Sequence, residues 1–185
     1  MVELCRIDDR LLHGQVAVTW VGAVAPEAIL IANDEAATNE MSKLALKMAK
    51  PAGVKLAVKT IDEAAALLNN PKAAKIKIFL ITRTIQDTLR LVSMTDQIHR
   101  VNIGGVKNKE GGKMIAAAVC LDNDDLHDLM KLRKRVDEVE LRMVLRNIES
   151  VSINTYERRR LKYDRSSTTC RSYCLFTGLL GCLVM

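Results

Sequence analysis

The sequence predicts an α/β fold, an open, mostly parallel sheet of about seven strands with helices on both faces, and three observations lead there. Apolar runs of strand length alternate with segments of helical period about six times along the chain, the order produced by a parallel sheet wrapped by crossover helices. Several of those runs are apolar throughout, as strands buried on both faces are. Three prolines, nine glycines and 3% aromatic residues are too few for an all-β sandwich, which needs turn residues at short intervals.

From the amino terminus, strands are expected at residues 2–7, 27–32, 54–59, 75–82, 100–103 and 139–145, with a weaker candidate at 115–121. The first runs straight into a polar segment, and a helix is expected to open just after His13. Between residues 39 and 50, Met41, Leu44, Ala45 and Met48 recur at i, i+3, i+4 and i+7, the spacing of an amphipathic helix, which Pro51 and Gly53 then stop. Thr60 and Glu63 have the spacing of a capping box, in which each side chain satisfies an amide at a helix start; that helix should run to about Leu68. Asp122, Asp124 and Asp125 open another helix whose end carries Lys131, Arg133, Lys134 and Arg135, so both ends complement its macrodipole. Beyond residue 150 the pattern stops. All three tyrosines, Cys170, Cys174, Cys182 and Arg158-Arg159-Arg160 fall there, so the expected organisation is one domain over 1–149 and a basic, cysteine-bearing tail over 150–185 outside the fold. No repeat of solenoid period occurs.

The formal charge is +6, but residues 151–185 hold six bases against two acids, leaving 22 against 20 in the rest. A surface of mixed sign is no phosphate-binding stripe, so nucleic acid is not the expected partner. Five cysteines, an odd number, argue against a disulfide scaffold. Glu3 and Arg6 interrupt the stretch where a signal peptide needs about 7 to 15 apolar residues, and the apolar run 174–185 is shorter than the roughly 20 residues of a membrane span. A reducing, cytoplasmic setting is expected.

The chemistry concentrates in Arg6-Ile7-Asp8-Asp9-Arg10-Leu11-Leu12-His13-Gly14-Gln15-Val16. A β-to-α turn of an open sheet lies at the carboxyl ends of the strands, where ligands bind. The helix beyond it presents unpaired amides that suit a phosphate, and Gly14 allows a backbone or an anion to approach closely. A neutral imidazole is a nucleophile, since its unperturbed pKa of about 6.5 leaves most of it unprotonated at physiological pH. Arginine suits the neighbouring position because its planar fork holds two phosphate oxygens; Arg10 and Arg6 are the candidates. Asp8 and Asp9 can orient the imidazole, tether the arginines in an empty site, or cap the turn. A His-Gly after a strand also suits an ordinary turn with a solvated histidine, and position alone leaves both readings open.

That segment closely resembles the motif of the IIB components of the mannose, fructose and sorbose class of the bacterial phosphotransferase system (PTS). Further matches follow in order at Ala32-Asn33-Asp34-Glu35, at residues 46–54, at Val101-Asn102-Ile103-Gly104-Gly105 and at residues 139–144, so the resemblance covers about residues 3–145. It implies a seven-stranded, mostly parallel α/β domain and the activity of a protein-N(pi)-phosphohistidine–sugar phosphotransferase. A phosphoryl group from a phospho-IIA donor would pass to His13 and then to a sugar bound by membrane IIC and IID partners, with the protein recruited to the inner face of the membrane. His13 is then the phosphohistidine and Arg10 the phosphate clamp; Arg6, Asp8, Asp9 and Gly14 are supports, and Asn33, Asp34, Thr82 and Arg83 rim the same site from two other strand ends. No cofactor and no metal are implied, and homodimerisation is left open. After Leu145 the family's expected proline-containing turn is replaced by Arg146-Asn147 and the unrelated tail.

Other features have plainer readings. His99 and His127 fit solvent-facing or capping positions. Cys170, Cys174 and Cys182 lack a fourth ligand for zinc, and Cys120, inside an apolar run, suits a small buried hydrophobe. Gly104-Gly105 and Gly111-Gly112 flank Lys107 and Lys109 without the lysine and serine of a Walker motif, so a flexible surface loop is expected. Trp20 should pack on the sheet. Two competing functions are a noncatalytic phosphate- or nucleotide-binding α/β module using the same turn and, more remotely, a nucleic-acid binder acting through the tail.

Overall fold

The structure, a computed structural model, describes residues 1–107, 111–116 and 118–142, together with the backbone of 151 and 152. The chain divides into two units, Met1–Ser150 and Val151–Met185; the second holds the two-residue strand Val151–Ser152.

Six strands of the first unit form one parallel sheet: β1 (Val2–Asp8), β2 (Ala28–Ala32), β3 (Lys55–Lys59), β4 (Ile78–Thr82), β5 (Arg100–Gly105) and β8 (Glu138–Leu141), in the order β3-β2-β4-β1-β5-β8. These are the six stronger sequence candidates. The weaker seventh does not join the sheet: residues 115–121 contribute to a separate antiparallel hairpin, β6 (Lys113–Ala116) and β7 (Val119–Leu121). Val106, just past β5, anchors this hairpin by accepting from the Cys120 amide and donating to the Ala118 carbonyl. Part of the expected last strand, residues 143–145, lies outside the described residues.

Alternation along the strands sorts side chains into two faces. Leu4, Ile29, Ile31, Phe79 and Ile81 share one face with Val16, Ala17, Trp20 and Val21 of the helical segment after His13. That segment begins with a π-helical turn, Val16–Trp20, and continues as α1 (Val21–Val24). The same face receives α2 (Asp34–Thr38) through Ala36 and α3 (Glu40–Ala49) through Leu46. On the other face Cys5 and Thr82 are hydrogen-bonded to each other, and Thr82 also meets Thr88 of α5 (Ile85–Val92) at 2.7 Å. Beside α5 lie α4 (Ile61–Leu68) and α6 (Asn123–Arg133). The expected capping box forms between Thr60 and Glu63, and α6, expected only to open on acidic residues, starts with a second box, Asp122 with Asp125.

One expectation is reversed in α3. The stripe Met41, Leu44, Ala45 and Met48 faces outward, with Met41 and Met48 about 80% exposed, while Leu46 turns inward. The helix lies near the sheet edge, where β3 is itself only half-buried, so one leucine and Ala49 suffice to seat it.

The topology determines where a site can form. The chain leaves β1 towards the face carrying Trp20, whereas β5 leads by way of the hairpin to α6 on the opposite face. Adjacent strands whose connections diverge leave a crevice at their carboxyl ends.

Candidate functional site

β1 ends in Asp8, and the chain reverses at once, the Leu11 amide donating to the Asp8 carbonyl at 2.9 Å. Leu11 adopts φ of +56°, a left-handed conformation costing a branched residue on the order of 1 kcal/mol. Burial of Leu11 and Leu12 in the core under Trp20 holds the turn in place. Arg10 consequently stands in solvent and His13 is half-buried. A helix begins just after the histidine, as expected, with the Ala17 amide donating to the His13 carbonyl at 2.8 Å.

Arg10 and His13, three residues apart, meet across this turn. Arg10 Nη2 lies 2.8 Å from His13 Nδ1 and 3.1 Å from Nε2. His13 Nε2 faces Asp8 Oδ2 at 3.4 Å. The carboxylate can only accept, so the Asp8 contact is a hydrogen bond in the tautomer that carries its proton on Nε2, which leaves the Nδ1 lone pair for the shorter Arg10 contact. Asp8 is 3% exposed; its other oxygen accepts from the Arg10 amide at 3.2 Å, tying the turn to the same carboxylate. A cleft of about 470 Å³ opens here, bounded by the turn, by Gly104 and Gly105 of β5, and by Met114 and Cys120 of the hairpin. Lys107 and Arg10 give it positive charge.

The structure thus brings Arg6, Asp8, Asp9, Arg10 and His13 to one cleft. Arg6, expected as a second phosphate ligand, is buried with its donors turned to Asp8, Asn102 and the Arg142 carbonyl. A Cβ on Gly14 would meet nothing within 4 Å, so this side of the helix start is open to a visitor. Asn33, Asp34, Thr82 and Arg83 are not among the residues lining the cleft. Asn33 caps α2 and reaches Asp87, Asp34 accepts from the Ile61 amide and pairs with Arg90, Thr82 is buried against Thr88, and Arg83 pairs with Glu35. Gly104 and Gly105 form the buried end of β5 rather than a flexible loop. Lys109 lies outside the described residues.

Sequence reasoning missed Asn102 and Glu140. Both are buried, and the signal was there for Asn102, a lone polar side chain between Val101 and Ile103, a position that a folded chain tolerates only when the group is paired; Glu140 alternates with Glu138 and Arg142 and reads as part of a polar strand face. The Asn102 amide donates to Glu140 Oε1 at 3.2 Å, and Glu140 pairs with Arg142 at 3.0 Å. His99 and His127 are exposed and outside the cleft, as expected. Among the described residues no group of three or more His, Cys, Asp or Glu could hold a metal ion, and no helix is long and apolar enough to cross a membrane.

Residues 2–167 match the family model described as the PTS system sorbose subfamily IIB component. The chain is 38% identical over 106 residues, 57% of its length, to a probable phosphotransferase enzyme IIB component of Streptococcus pyogenes. It is 35% identical over 144 residues, 78% of its length, to the PTS system mannose-specific EIIAB component of Escherichia coli K12. It spans 65% of the first relative and 45% of the second, less than two thirds of either. Among solved structures, the IIBSor domain of the sorbose permease from Klebsiella pneumoniae superposes with a TM-score of 0.79 at 33% identity, over 85% of this chain and 97% of that one.

Proposed function

The chain belongs to the sorbose subfamily of PTS IIB components, and from that premise we propose that His13 accepts a phosphoryl group from a phospho-IIA donor and passes it to a sugar during uptake. The observation carrying this reading is the arrangement around His13: Nε2 faces a buried carboxylate, and an exposed guanidinium at a cleft lies along the ring with its shortest contact to Nδ1. Nδ1 attacks the donor's phosphorus as the donor's own P–N bond breaks, which returns a neutral imidazole to the donor. The proton on Nε2 stays in place beside Asp8. Arg10 moves from the lone pair of Nδ1 to the phosphoryl oxygens, where its fork stabilises the charge spread over them in the transition state. In the second transfer the sugar hydroxyl attacks phosphorus as the P–Nδ1 bond breaks; the bond's electron pair returns to Nδ1, regenerating neutral His13 with its Nε2 proton, and the hydroxyl proton passes to solvent.

The mannose-specific relative is an EIIAB component, a name that joins A and B and supports a IIA protein as the donor here. IIC and IID membrane components would present the sugar, drawing a cytoplasmic IIB to the inner face of the membrane. Incubation with phosphoenolpyruvate, the general phosphotransferase proteins and a IIA donor should give a phosphate that is acid-labile and base-stable. Reversible phosphate binding with no covalent label would instead favour the noncatalytic module.

A further inference from the structure

We infer that Arg6, seated in a space left by Gly104 and gripped by Asn102, is a positioning residue that fixes Asp8 and through it the protonated nitrogen of His13. The inference rests on the proposed role of His13 as phosphoryl acceptor. Arg6 is 3% exposed, and its guanidinium is held on every side. Nε and Nη2 donate to Asp8 Oδ2 at 3.2 and 2.9 Å, and Nη1 donates to Asn102 Oδ1 at 2.5 Å and to the Arg142 carbonyl at 3.2 Å. The ring of Trp20 lies 4.6 Å from the guanidinium carbon. A Cβ added to Gly104 would sit 1.9 Å from that carbon, so any other residue there must displace the guanidinium. Asn102 cannot turn its amide round, because its NH2 group is taken by Glu140 and the Arg142 carbonyl.

A guanidinium so enclosed does not reach an incoming phosphate. Its effect falls on Asp8, which also takes the His13 contact on the same oxygen, Oδ2. A buried carboxylate stripped of its partner is an uncompensated charge, which the protein relieves by protonation or rearrangement. Either change removes the acceptor that holds the proton on Nε2, and the fraction of His13 with a free Nδ1 lone pair falls. Outer contacts that orient a reactive group in this way are typically worth about 10- to 100-fold.

The test compares wild type with Gly104→Ala, which displaces the guanidinium without removing a charge, and Arg6→Lys, which keeps the charge and loses the fork. Single-turnover transfer from phospho-IIA is followed as a function of donor concentration, and the His13 tautomer is read by 15N NMR at pH 8 in protein labelled on histidine. We expect both variants to lose about 10- to 100-fold in the maximal rate, with the half-saturating donor concentration nearly unchanged and the Nε2–H tautomer depleted. Wild-type rates in a folded Gly104→Ala protein would overturn the inference. Should neither variant fold, the wild-type spectrum decides alone: Nε2–H as the main tautomer supports the inference, and Nδ1–H sinks it. Failure of wild-type protein to accept phosphate refutes the proposed function instead, and the tautomer measurement still reports on Arg6.

Discussion

Arg10 and His13 meet only because Leu11 bends the chain between them, and the chemistry expected of each follows from that contact. Arg10→Lys keeps the charge but cannot hold two phosphoryl oxygens, so transfer from phospho-IIA should slow about 10- to 100-fold, one or two steps of about 1.4 kcal/mol. Arg10→Ala should be slower still, with circular dichroism verifying that each variant is folded. Cys5 behaves oppositely. Fully buried in β1, its thiol is pushed up from 9.0 to about 12 by desolvation, with the Thr82 hydrogen bond pulling the other way. An acid whose pKa is higher in the folded state keeps its proton there while the unfolded chain loses it, so this contribution to stability is complete below pH 9 and is lost as pH rises from 9 to 12. Urea titrations should therefore show wild type losing stability relative to Cys5→Ala across that window; parallel curves would contradict the buried thiol. Asp8, Arg10 and His13 were legible in the sequence because they lie within six residues of one another. Asn102 and Glu140 were not, because Asn102 meets Arg6, and Glu140 meets Asn102, only through strands far apart in sequence, and a polar letter in a strand does not name its partner.

Helices and strands were legible where local chemistry decides them and obscure where packing does. Thr60 and Asp122 announce their helices because a cap satisfies amides a few residues away. Asp122→Ala should cost about 1 kcal/mol, whereas Asp124→Ala, which loses only a charge near the α6 terminus, should cost a few tenths; equal losses in chemical denaturation would show that the box adds nothing. The α3 stripe misleads because periodicity reveals which residues share a face, not which face meets the sheet. Gly104-Gly105 reads as a loop for a related reason. Glycine usually marks a turn, but here the missing side chain makes room for the Arg6 guanidinium inside a strand.

Over the whole molecule, alternation of strands and helices predicts a parallel sheet, but strand order is a matter of tertiary pairing that no local pattern encodes. The crevice between β1 and β5 could be anticipated as a strand end and not as a particular neighbour pair. The second unit adds a separate prediction. If residues after 150 stand outside the fold, ending the chain at Ser150 should preserve phosphorylation and cost less than about 2 kcal/mol, the size of a buried core contact. A larger loss would draw residues 151–167, which the family match includes, into the domain. The central claim is that the phosphoryl group resides on His13, and site mapping of the labelled protein tests it most directly. After transfer from phospho-IIA, peptides prepared under neutral or alkaline conditions should carry the phosphate on His13 alone, and His13→Ala should take none while His99→Ala and His127→Ala label as wild type does. Phosphate found on His99, on His127 or on a cysteine would contradict the account.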